Sequence, residues 1–223
     1  MKINAIRYVS EPPVTPFAPT WDFTLANAQT DIDLDALKDL ILKKEVEIKE
    51  EFPADMGYLP LNDGQTGLGP NSLTARFKYF NVLKWDHPVC KQLHEVIREV
   101  HQKYYDSMVG GEFPKLKIRC WANVLRKGES IGKHAHSVHP HTYLSGHFCV
   151  CATGTSTNYI PPYNDWGEDI IAENIPGEIT IFPTWLAHYT SVTEVEEPRI
   201  TIAFDIVPAE GCLHPDEDNL VEL

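Results

Sequence analysis

The chain is short of basic residues: 19 Lys and Arg stand against 32 Asp and Glu, a formal charge of −13 over 223 residues. No basic stripe remains to track a phosphate backbone, so nucleic-acid binding by electrostatics is disfavoured, although a nucleotide as a small-molecule substrate stays open. No stretch reaches 18 consecutive apolar residues, and the opening MKINAIRYVSEPP lacks the apolar segment of a signal peptide. The expectation is a cytoplasmic protein with no membrane partner. The five cysteines, Cys90, Cys120, Cys149, Cys151 and Cys212, are an odd set without a CxxC pair. That argues against a disulfide framework and against a zinc ribbon, and the thiols are expected to be reduced, Cys149 and Cys151 as buried small hydrophobes. Repeats and low-complexity tracts are also missing. With 43% hydrophobic residues the chain can bury a full core, and a single domain is expected over 1–223.

Residues 1–30 carry Pro12, Pro13, Pro16 and Pro19 and aromatics without a period, and read as an extended arm or edge strand. From Asp31, Leu34, Leu37, Leu40 and Ile41 recur at helical spacing, predicting a helix to about Glu51 that Phe52-Pro53 stops. NDGQTGLGPNS (62–72) has no GKS/T and no strand before it, so it reads as a shaped surface loop rather than a phosphate cradle. SLTARFKYFNVLKW, rich in β-branched and aromatic residues, reads as strand. A second helix is predicted from Pro88 to about Met108, with Asp86 as cap and Val89, Leu93, Val96, Ile97, Val100 and Tyr104 on one face. His94 and His101 on that helix have no third partner and read as surface or boundary residues. After Gly110-Gly111 and Pro114 the pattern turns to strands: Lys115–Leu125, Tyr143–Ala152, Thr157–Ile160, Glu178–Phe182 and Arg199–Val207. The expected class is mainly β with helices (α+β), a barrel or sandwich braced by helices on one side. Arm and helices occupy 1–114, the barrel 115–207 and a tail 208–223.

One stretch stands apart. Gly128 to Ser145 reads GESIGKHAHSVHPHTYLS and holds four of the ten histidines within eight residues. His134 and His136 stand at i and i+2, so in an extended chain both imidazoles point to one side. His188 follows His136 by 52 residues at the end of IFPTWLAH, and Arg199 comes 11 later. Neutral imidazole is a ligand for iron, zinc, copper and nickel, and ligands from two strand ends can converge at the mouth of a rolled sheet. HxH alone fits a polar loop of solvated imidazoles better than a metal site; the downstream residues change that weighing in favour of a metal. In RITIAFD, Arg199 and Thr201 share one face, assigned to the interior, while Ile200, Ile202 and Phe204 share the other. A buried guanidinium needs an anionic partner, best a carboxylate gripped by two parallel hydrogen bonds. A surface salt bridge to Glu196 or Glu197 is the alternative.

These residues resemble the 2-oxoglutarate- and iron(II)-dependent oxygenases, whose pattern is HxD/E, a second His some fifty residues on, and about ten later an Arg, often in RxS/T. His134, His188, Arg199 and Thr201 match by position and order. More narrowly, Trp121-Ala-Asn123, HAH followed by Leu144-Ser-Gly146, FPTWLAH, RITIAF and DGQTGLGPNSLTARF look like a group of oxygenase-like proteins of bacteria and their phages. The resemblance implies a double-stranded β-helix (a jelly-roll, cupin-like barrel). It also implies iron(II) held by His134, His136 and His188, and 2-oxoglutarate bound through Arg199 and Thr201 with Asn123 and Tyr143 nearby. The implied reaction is hydroxylase-type C–H oxidation with O2, coupled to decarboxylation of 2-oxoglutarate to succinate. His136 departs from the family's Asp or Glu. Three neutral imidazoles leave iron(II) its full +2 charge, and the alternative is that Asp165, Glu168 or water completes the shell. Pro161, Pro162, Tyr163, Asp165 and Trp166 are expected in a loop near the barrel mouth, where a primary substrate would meet them.

Two rivals come from other classes. Gly128 with HAH, and Gly177 with Pro-x-Trp-x-x-His, are similar to the half-motifs of cupins, although His141 stands where Glu is expected and Trp185 where Gly is usual. That resemblance implies a metal enzyme without 2-oxoglutarate, or a metal-binding module. The other rival is a zinc-stabilised interaction domain using His139, His141, Cys149 or Cys151.

Overall fold

The structure, a computed structural model, describes residues 1–55, 61–138, 142–163, 167–210 and 217–223. Helix α1 (Leu34–Glu51) starts where the Asp33 carboxylate accepts a hydrogen bond from the Ala36 amide at 3.0 Å. Its buried residues, Leu37, Ile41, Glu45 and Ile48, form one stripe. Glu45 enters that stripe because Arg126 and Lys49 each reach its carboxylate, at 2.8 and 2.7 Å. Helix α2 (Pro88–Met108) has Pro88 in its first turn as expected, but its cap is His87, whose Nδ1 accepts from the Val89 amide, and not Asp86. Val89, Leu93, Val96, Ile97, Val100 and Tyr104 are buried, as the periodicity predicts. His101 is buried with them, against expectation, its ring bonded to the Tyr143 hydroxyl at 2.8 Å.

Both helices pack on one face of a seven-stranded antiparallel sheet in the order β1-β2-β7-β4-β9-β3-β10. Its strands are β1 (Asn4–Val9), β2 (Asp22–Gln29), β3 (Leu116–Leu125), β4 (Leu144–Cys151), β7 (Glu178–Pro183), β9 (Arg199–Pro208) and β10 (Val221–Glu222). The arm expected in residues 1–30 therefore splits. β1 is an edge, but β2 lies inside the sheet between β1 and β7, and the tail returns to pair β10 with β3. On the opposite face a three-stranded sheet, β6 (Ile170–Glu173), β5 (Ser156–Tyr159) and β8 (His188–Thr190), is held by a second apolar cluster of Phe23, Leu25, Tyr159, Phe182 and Leu186.

SLTARFKYFNVLKW is not strand. It forms two short 3-10 turns, Thr74–Arg76 and Val82–Lys84. Buried polar side chains hold it: Arg76 donates to the carbonyls of Phe52, Pro70 and Ser72, and Asn81 bonds the backbones of Leu83, Ile118 and Cys120. Strand propensity loses here because Asn81 takes the Leu83 amide and the Ile118 and Cys120 backbone groups that a ladder would otherwise use, while Arg76 fastens the segment to the chain before it.

Central strand β4 runs where no side chain fits at its third residue. A Cβ added to Gly146 would overlap the Phe204 ring and the Thr180 carbonyl, one of them rigid backbone. Gly146→Ala is expected to lower stability by about 3 kcal/mol, read as a fall in urea midpoint at unchanged slope.

Candidate metal centre and its pocket

The pleat of β3, β9 and β4 aims alternate residues between the two sheets. The register sets Arg119 and Ser145 on either side of Asp205, Trp121 and His147 on either side of Ala203, and Asn123 and Cys149 on either side of Thr201. The apolar residues between them, from Ile118 to Val124 and from Ile200 to Ile206, face the helices, which is the division the alternation predicts.

His134 and His136 reach this space from an extended segment bridged to β8. The His134 amide donates to the His188 carbonyl at 3.0 Å, the His188 amide donates back at 2.9 Å, and the His136 amide donates to Thr184 at 3.2 Å. His188 stands at the start of β8, after a turn closed by the Leu186 amide on the Pro183 carbonyl at 2.9 Å. The three ring centroids are 4.5 to 5.4 Å apart, and one ring nitrogen from each lies within 4.8 Å of the others.

Each ring is oriented through its other nitrogen. His134 Nδ1 lies 2.9 Å from the Gly132 carbonyl, His188 Nδ1 lies 2.9 Å from the Leu186 carbonyl, and His136 Nδ1 lies 2.5 Å from Asp205 Oδ1. Acceptors on Nδ1 place the proton there and leave Nε2 as a lone-pair donor on all three rings. Burial, with His136 beside it, lowers the pKa of His134 to about 4, and burial with both neighbouring histidines holds His188 well below its ordinary value. Both are neutral at neutral pH, the state a metal needs. The donor set fits a divalent metal of the imidazole-preferring group.

Asp205 was not foreseen. Its carboxylate also accepts from Ser145 Oγ at 2.6 Å and lies 3.5 Å from Arg119 Nη2. Burial raises its pKa, but His136, Arg119 and Ser145 together outweigh that and hold it below the usual carboxylate range. The Arg119 guanidinium sits 5.1 Å from the Phe77 ring centroid and 5.5 Å from that of Trp121. His147, also unforeseen, faces the same pocket with Nε2 3.0 Å from the Tyr159 hydroxyl, and stands outside the three-histidine cluster.

Arg199 lines the same pocket, 3% exposed. Its Nη1 donates to Thr201 Oγ1 at 3.3 Å, Nε has no hydrogen-bond partner, and no carboxylate pairs with it among the described residues. Glu196 and Glu197 are engaged instead by Lys127 and Lys38. Burial lowers the Arg199 pKa to about 10, so it remains a cation at neutral pH. Asn123 lines the pocket too, its Oδ1 accepting from Thr74 Oγ1 at 2.8 Å. Tyr143 does not join them. It precedes the first residue of β4, beyond the reach of the strand's alternation, and its hydroxyl turns to His101 on the helix side.

The loop at 62–72 does more than cover surface. Asp63, Gly64 and Thr66 line the pocket, and the Thr66 carbonyl accepts from the Gly132 amide, 2.7 Å away and two residues before His134. The loop is tied internally as well, Asp63 accepting from the amides of Gln65 and Gly69 at 3.0 and 2.8 Å. Pro161, Pro162 and Tyr163 do not line the pocket, and Tyr163 is 76% exposed. Glu168 is exposed and not in the histidine cluster. His139, His141, Asp165, Trp166 and Cys212 lie outside the described residues. Cys90, Cys120, Cys149 and Cys151 are free thiols, and neither Cys149 nor Cys151 approaches the histidine cluster closely enough to share a metal.

No family model matches the chain, and no curated protein sequence does either. Solved structures do. A prolyl-4-hydroxylase from Pseudomonas putida superposes with a TM-score of 0.55 at 11% identity, over 82% of this chain and 92% of that one. A prolyl hydroxylase from Trichoplax adhaerens, in complex with a peptide fragment of the hypoxia inducible factor oxygen degradation domain, gives 0.52 at 11% identity, over 81% and 83%. The non-heme alpha ketoglutarate dependent carbocyclase SnoK from nogalamycin biosynthesis gives 0.53 at 10% identity, over 83% and 79%. The resemblance to 2-oxoglutarate- and iron(II)-dependent oxygenases read from the motifs thus extends to the fold.

Proposed function

We propose that the chain is a single-domain, 2-oxoglutarate- and iron(II)-dependent dioxygenase on a double-stranded β-helix, oxidising a C–H bond of a primary substrate. The observation that carries this reading is Arg199: a buried cation with an unpaired Nε, in the cavity that also holds three converging imidazoles. A guanidinium so placed fits a ligand carboxylate, and an unpaired buried charge is otherwise expensive.

In this reading His134, His136 and His188 hold the metal through Nε2, each ring fixed by its Nδ1 bond. Bound there, iron and 2-oxoglutarate supply the O2 chemistry and the decarboxylation to succinate. Arg199 grips the far carboxylate of 2-oxoglutarate, Thr201 steadies the guanidinium, and Asn123 presents its amide from the neighbouring strand. Phe182 and Trp121 wall the pocket against water, and no side chain is needed as acid or base. The free thiols suit a reducing compartment, in keeping with the cytoplasm.

The test is anaerobic calorimetry of the iron(II)-loaded protein with 2-oxoglutarate, beside Arg199→Ala. Loss of a buried charge-assisted carboxylate contact predicts about 100-fold weaker binding in the variant, with iron affinity unchanged. Binding that survives in Arg199→Ala overturns Arg199 as the anchor, and absence of binding by the iron-loaded parent removes 2-oxoglutarate from the account and leaves the cupin-type reading in front.

A further inference from the structure

The ligand set lacks the carboxylate that the HxD/E pattern would bring, and the pocket contains one a single bond away. Asp205 Oδ1 meets His136 Nδ1 at 2.5 Å, the same oxygen accepts from Ser145 at 2.6 Å, and Arg119 lies 3.5 Å from Oδ2. Three groups thus fix the carboxylate in one orientation, and its side chain is only 15% exposed. The other two imidazoles donate to neutral backbone carbonyls, so His136 alone has an anionic acceptor. We infer that Asp205 is the carboxylate of this metal centre, acting on the metal through His136 as a positioning residue.

An imidazole donating to a carboxylate is a more basic ligand than one donating to an amide carbonyl, and its ring orientation and tautomer are set in advance. Asp205 thereby returns to the centre, at one ring's distance, the negative charge that a direct carboxylate ligand would contribute. Arg119 opposes that effect in part and anchors the second oxygen, so its role is to orient. The row Arg119–Asp205–Ser145 spans three neighbouring strands, which holds the carboxylate independently of the His134–His136 segment.

The inference rests on His136 being a ligand, as proposed above. It is tested with cobalt(II) alone, by calorimetry and by the visible absorption of the bound ion, on protein whose fold is checked by circular dichroism. Asp205→Asn is expected to weaken cobalt(II) binding by about 10- to 100-fold. In a His136→Ala background, where no imidazole remains to be oriented, the same substitution is expected to change affinity less than about threefold. A folding defect caused by Asp205→Asn would appear in both backgrounds, so the comparison separates it from loss of ring orientation. Native affinity in Asp205→Asn, or an equal loss in both backgrounds, overturns the role of Asp205 and leaves the metal site standing. No cobalt(II) binding by the unsubstituted chain overturns both.

Discussion

His188→Ala is expected to weaken divalent-metal binding by about 100- to 1000-fold. Metal binding by a closed four-ligand site is worth about 10–16 kcal/mol, so one ligand of a small set carries roughly 3–4 kcal/mol. His188 is the most buried of the three histidines, and it stands on β8 while His134 and His136 share an extended segment outside the strands, so its loss leaves a pair from one segment with nothing to close against. His147→Ala is the control, since it removes an imidazole from the same pocket whose Nε2 is already bonded to Tyr159. Cobalt(II) titration followed by absorbance is expected to show a change within about threefold for His147→Ala. Equal losses in the two variants would mean that the pocket, and not the ligand set, had been damaged.

The metal-free protein is expected to lose stability steeply on mild acidification. His101 is fully buried, and burial lowers its pKa to about 4, against 6.5 for the ordinary side chain. As pH falls below 6.5 the unfolded chain takes up this proton while the folded chain refuses it, so the folded state loses ground until about pH 4, where both are protonated. The difference in pKa corresponds to about 3 kcal/mol from this one residue. His147, whose pKa is lowered to about 3 mainly by burial, acts in the same direction and continues below pH 4. Urea midpoints measured from pH 7 to pH 4 are expected to fall throughout, and His101→Gln is expected to flatten the decline. A midpoint constant to pH 4.5 would show that the ring is protonated in the folded state or open to solvent.

Much of the candidate site could be read from local pattern. The i, i+2 spacing of His134 and His136 and the alternation through Arg199 and Thr201 each depend on one strand, and a strand's period is visible in one segment. Asp205 lies on that same alternation, two steps beyond Ala203, and following it further was the available signal. Its partnership with His136 is not visible there, because the two are 69 residues apart and His136 is placed by the bonds of its segment to His188 and Thr184, which no local pattern shows. Tyr143 turns to His101 for the opposite reason, standing just before the strand whose period would be needed to aim it. The turns at 73–85 were hidden by composition: β-branched and aromatic residues suggested strand, while Arg76 and Asn81, whose bonds shape the segment, carry no periodic signal. From sequence β2 reads as part of an arm or edge strand because the prolines between it and β1 belong to a connection, and composition alone does not say which side of a loop is interior.

The 62–72 loop gives the pocket a stretch of wall that is set in advance. Its turns are already closed by the Asp63 carboxylate, and its Thr66 carbonyl is already tied beside the histidine segment. A ligand seated against it would find that part of the wall already ordered, with little chain entropy left there to lose.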